Sequence, residues 1–87
     1  MPIHHAFDIL AVPQITIEVV IRWQSKMVQL VWRDGSGRTY NIPFTRVRTL
    51  SDIVGWMAHL TKKNWFKGAL PRKLGDALIE VHNKQVV

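Results

Sequence analysis

From Gln14 onward, apolar and polar residues alternate. Ile15, Ile17, Val19, Ile21 and Trp23 are interleaved with Thr16, Glu18, Val20 and Arg22. A period of two is the signature of a strand with one face buried. A second alternation follows, with Val28, Leu30 and Trp32 set among Met27, Gln29, Val31 and Arg33. A turn at Gln24-Ser25 places Ile21 opposite Val28, Val19 opposite Leu30 and Ile17 opposite Trp32, so the bulkiest residues share a face. Gln-Ser lacks the Asn-Gly character of tight hairpin turns, and the pairing rests on the side-chain pattern. The second reversal is better marked, by Asp34-Gly35-Ser36-Gly37. Its glycines accept positive φ. A loop at 35–37 predicts Trp32 opposite Tyr40, Leu30 opposite Ile42 and Val28 opposite Phe44. Pro43 has no N–H to donate, which sends the third strand to an edge.

Near Thr49 the period becomes helical. Ser51 is the expected N-cap, with Asp52 after it at the positive end of the helix. Leu50, Ile53, Val54, Met57 and Leu60 recur on one side. Lys62 and Lys63 suit the negative end, and Asn64 the C-cap. After a loop containing Gly68, Pro71 fits the first turn of a second helix. Leu74, Ala77, Leu78 and Val81 form its stripe, with Arg72, Lys73, Asp76 and Glu80 facing water as salt-bridge partners. The expected fold is α+β: a three-stranded antiparallel meander over 14–45, then helices over 51–63 and 71–84 packed on one sheet face. Residues 1–13 carry Phe7, Ile9, Leu10 and Val12 and end at Pro13. They stay open between a fourth strand, a short helix and an arm laid on a second subunit; a strand or extended arm is favoured.

The length, 87 residues, suits one domain with a thin core. A 47% apolar content with four Trp is too hydrophobic for a disordered chain. No apolar run approaches the ~18 residues that cross a bilayer. Met1-Pro2-Ile3-His4-His5 lacks the basic and apolar regions of a secretory signal. The absence of Cys excludes disulfides, thiolate nucleophiles and Cys-based zinc sites. A cytoplasmic setting is expected. Charge changes the picture more: twelve Lys and Arg against six Asp and Glu give a net +6. A field of that sign attracts nucleic acid, acidic proteins or anionic lipid heads.

Enzyme signatures are sparse, and neither catalysis nor a cofactor is expected. Gly35-Ser36-Gly37 lies between strands, whereas a phosphate-cradling loop opens a helix. His4-His5 near the terminus, and His59 with His82 on separate helices, lack the further ligands of a metal site. The richest stretch runs from Lys62 to Lys73. Lys62, Lys63, Lys67, Arg72 and Lys73 offer a surface for phosphates, and Trp65 a platform for an unpaired base. The competing role for Trp65 and Phe66, which a thin core favours, is to plug the gap between the helices. A second surface is the outer sheet face, where Val20, Met27 and Val31 form an apolar patch suited to self-association as a homodimer or larger assembly. Arg46 and Arg48 add charge nearby. Trp56 lies off the main stripe, level with His59 and Lys63, and packing within the chain is its expected role.

The stretch Gly55-Trp56-Met57-Ala58-His59-Leu60-Thr61-Lys62-Lys63-Asn64-Trp65-Phe66, with Leu70 and Leu74 after it, resembles small proteins carried on phages, plasmids or integron cassettes. Lys67-Gly68-Ala69 departs from that pattern. The resemblance implies a mobile-element origin and brings with it no activity and no catalytic residues. The function expected from the sequence is a non-enzymatic nucleic-acid-binding or accessory module, with self-association as the alternative.

Overall fold

The computed structural model describes residues 16–85. Strands β1 (Ile17–Arg22), β2 (Met27–Trp32) and β3 (Thr39–Pro43) form an antiparallel sheet in that order. A 3-10 turn at Phe44–Arg46 leads to helices α1 (Leu50–Thr61) and α2 (Leu70–Gln85). This is the α+β meander and helix pair that the pattern predicts. The readings of residues 1–13, His4-His5 among them, fall outside the described residues.

The first hairpin has the expected register, with Ile17 opposite Trp32, Val19 opposite Leu30 and Ile21 opposite Val28. Its turn covers 23–26 and closes with Lys26 at φ 56°. The second hairpin differs. Leu30 faces Tyr40, Val28 faces Ile42 and Met27 faces Pro43, a slip of two residues from the predicted alignment. The loop explains it. Asp34 Oδ1 accepts from the Ser36 N–H at 2.9 Å, and Ser36 Oγ accepts from the Arg38 N–H at 3.2 Å. Gly35 and Gly37 take φ values of 86° and 75° that other residues rarely adopt. The chain thus folds on itself through 33–37, and pairing resumes where the Trp32 N–H donates to the Arg38 carbonyl at 3.0 Å. Because side chains alternate with a period of two, an even slip leaves the faces unchanged. Tyr40 and Ile42 still point to the core. Phe44 does not face Val28: its N–H donates to the Lys26 carbonyl at 2.9 Å as the 3-10 turn begins. That bond turns the Pro43 nitrogen away from β2, to the sheet edge where a missing donor is harmless.

Val28, Leu30, Trp32 and Ile42 of the sheet join Ile53 and Leu60 of α1, and Leu70, Leu74, Ala77, Leu78 and Val81 of α2, in one hydrophobic cluster. Phe44, Val47 and Phe66 complete it from the connections. The α2 residues follow the helical repeat, so a single stripe is buried; it lies on β1, and α1 packs beside α2. In α1 the buried stripe is narrower than predicted. Leu50 and Val54 are 62% and 67% exposed. Ile53, Met57 and Leu60 fall within a narrow arc that meets the core, while Val54 sits about a quarter-turn away.

The start of α1 also corrects the expectation. Thr49, not Ser51, is the N-cap: its Oγ1 accepts from the Asp52 N–H at 3.0 Å. Asp52 Oδ2 accepts in return from the N–H groups of Thr49 at 3.1 Å and Arg48 at 3.0 Å. This reciprocal box satisfies donors that a helix start leaves unpaired. At the other end Lys62 rather than Asn64 is the C-cap. Nor do Arg72 and Lys73 pair with Asp76 and Glu80; among the described residues the one ion pair is Arg33–Glu18, half exposed and worth little.

Thr49→Ala is expected to destabilise the fold by about 1 kcal/mol, read as a lower melting temperature. The N–H of Thr49, and then that of Arg48, hold the Asp52 carboxyl below its ordinary value. A pKa lower in the folded than in the unfolded chain stabilises fully above the unfolded value and is lost as pH falls through the folded one. The melting-temperature gap between wild type and Asp52→Asn should therefore narrow in strong acid. An equal gap at neutral and acid pH would contradict this origin.

Candidate nucleic-acid interface

The α1–α2 connection is a succession of tight turns. The Lys63 N–H donates to the Leu60 carbonyl at 2.9 Å, Phe66 to Lys63 at 3.2 Å, Lys67 to Trp65 at 3.1 Å and Leu70 to Lys67 at 3.3 Å. Phe66 and Leu70 are buried and anchor it from below. Between and beside these anchors Lys62, Lys63, Lys67, Arg72 and Lys73 all project into solvent. From Lys62 to Gly75 the sequence holds no acid, and the first turn of α2 has none to offset its dipole. The sequence-predicted cations thus lie in the connection and the first turn of α2, on a braced backbone.

Trp65 is partly buried within a chain of aromatic rings. It meets Trp32 edge-on at 4.9 Å, Phe66 at 6.1 Å and Tyr40 at 6.0 Å. Phe66 sinks into the core, while the rings that Trp65 meets belong to the sheet and to Phe66. Arg38 lies over the Trp32 ring at 4.3 Å and near Trp65 at 5.9 Å, a cation–π seat that brings the β2–β3 loop to the basic connection. Sequence reasoning missed Arg38. The two-residue slip is the cause, because it sets Arg38, and not Tyr40, beside Trp32.

Further along, Trp56 meets Tyr40 edge-on at 6.4 Å and His59 at 6.2 Å. Its Nε1–H donates to the Arg46 carbonyl at 3.1 Å. A shallow groove of about 380 Å³ lies here, lined by Arg46, Ser51, Asp52, Gly55, Trp56 and His59. Gly55 is in mid-helix, where glycine costs about 1 kcal/mol against alanine. A Cβ at Gly55 would meet nothing within 4 Å, whereas one at Gly75 would touch Met57 Cε at 3.8 Å.

Val20, Met27 and Val31 share the outer sheet face, each partly buried. A polar row interrupts them: Arg22 Nε donates to Gln29 Oε1 at 3.2 Å, and Gln29 Nε2 to Asn41 Oδ1 at 3.0 Å. Gln29 separates Met27 from Val31 along β2 and stands opposite Val20. Among the described residues no three His, Asp or Glu side chains converge as metal ligands, and no helix is long and apolar enough to cross a membrane.

Fold and surface together define a small α+β domain with a cationic connection between its helices. No protein-family model, curated protein or solved structure matches the chain.

Proposed function

We propose that the protein is a cytoplasmic, non-enzymatic accessory module that binds nucleic acid through Lys62, Lys63, Lys67, Arg72 and Lys73. The observation that carries this reading is their common exposure along the turn-braced connection and the first turn of α2, a stretch free of acidic residues. Clustered cations without acidic partners neutralise phosphates and release condensed counterions, which gives affinity independent of sequence. Arg38, seated on Trp32, and the dipole of α2 add to the same field. Titration of labelled DNA and RNA, single-stranded and duplex, at several salt concentrations tests it. Log affinity should fall linearly with log salt. A flat, immeasurable response to all four would remove the reading.

Self-association through the outer face of the sheet is the second reading, supported by Val20, Met27 and Val31. The polar row through Gln29 ranks it lower, because an interface there would have to match those hydrogen-bonding groups. A clean monomer in sedimentation at high concentration would dispose of it.

A further inference from the structure

Gly55 has no packing reason to be a glycine. Among the described residues nothing stands over it, and the helix carries the residue at a loss of stability. What the missing side chain does is leave the floor of the α1 groove bare beside the Trp56 ring. Helical spacing sets Trp56 and His59 on one side of α1, and Lys62 and Lys63 follow directly after its last residue, Thr61. Arg46 lines the same groove, its carbonyl bonded to the Trp56 ring N–H. The groove thus holds a cation and an aromatic pair, and Lys62 and Lys63 of the basic connection follow its last lining residue, His59, by three and four positions. Asp52 also lines it, but its Oδ2 already accepts the N–H groups of Arg48 and Thr49.

We infer that this groove takes a single strand of nucleic acid. One unpaired base lies over Gly55 against Trp56 and His59, and the flanking phosphates meet Arg46 on one side and Lys62 and Lys63 on the other. Stacking on a ring face requires a base that is out of a duplex, which is what separates this occupant from double-stranded DNA or RNA. The inference rests on the nucleic-acid reading above and adds to it the strandedness of the ligand and the seat of the base.

The test uses the full chain, with labelled oligo-dT, oligo-U and a duplex of equal length at low salt. Wild type should bind both single strands more tightly than the duplex, and the comparison of dT with U distinguishes DNA from RNA. Gly55→Leu and Gly55→Gln fill the groove and improve helix propensity, so neither should lower the melting temperature. Both should weaken single-strand binding by roughly tenfold or more, the scale of one lost base stack. Wild-type binding of the single strands by these folded variants would overturn the inference while leaving the broader reading intact. So would a duplex bound as tightly as the single strands. Absence of any binding by wild type would instead overturn the broader reading, and this inference with it.

Discussion

Trp32→Ala is expected to cost about 4 kcal/mol, within the range for truncating a buried aromatic. Trp32 is 4% exposed at the end of β2, and three groups depend on it. Its ring is the edge-on partner of Trp65, it seats the Arg38 guanidinium, and its backbone N–H closes the β2–β3 loop. The N–H survives the substitution, but the other two contacts do not. The cavity opens beside Trp65 and Ile17, where a thin core has little material to collapse inward. A domain of this size has a total stability of about 4–13 kcal/mol, so the variant should stand near the threshold of unfolding. Thermal melts followed by far-UV circular dichroism should show a fall of roughly 15–30 °C. A fall of less than about 5 °C would mean that Trp32 is not the keystone its burial implies.

Combined reversal of the connection, Lys62→Glu, Lys63→Glu and Lys67→Glu, should leave the fold intact and abolish most of the binding. All three side chains are exposed and none is in an ion pair among the described residues, so the change in melting temperature should be small. Each phosphate contact to a single strand contributes about 0.7 to the slope of log affinity against log salt, so losing three should flatten it by about 2. Extrapolated from molar salt to about 50 mM, the counterion effect alone amounts to between two and three decades of affinity. Repulsion by the new carboxylates adds to that. An unchanged slope would place the phosphate contacts elsewhere on the surface.

The elements that were legible in the sequence are those fixed by periodicity. Ile17, Val19 and Ile21 against Val28, Leu30 and Trp32 specify both a face and a register, because their hairpin loop is short. In the second hairpin the alternation specifies the face alone. The register there belongs to the Asp34 and Ser36 side chains, which wind residues 33–37 into a longer loop than the glycines suggest. Arg38 was hidden for that reason. The true start of α1 was hidden by a similar local competition, since Thr49 and Ser51 both suit an N-cap and only Thr49 has Asp52 three residues on. Leu50 and Val54 fit a helical stripe by spacing, yet spacing does not say how wide a stripe the neighbouring helix will cover. Of the candidate surface, the cations were legible because unpaired lysines in a connection have nowhere to go but water. The groove over Gly55 was not, because it depends on Arg46 arriving from a separate turn and on where Trp56 settles.

The hydrogen-bonded turns from Lys63 to Leu70 have a thermodynamic consequence for any polyanion that approaches them. Recognition by a slack loop must freeze backbone torsions at the moment of capture, at roughly 1–2 kcal/mol per residue. Here that disorder is surrendered once, when Phe66 and Leu70 sink into the interior, and it is not demanded again at each encounter. The lysine tips keep their own freedom and can follow a ligand of irregular contour, while the chain beneath them holds still.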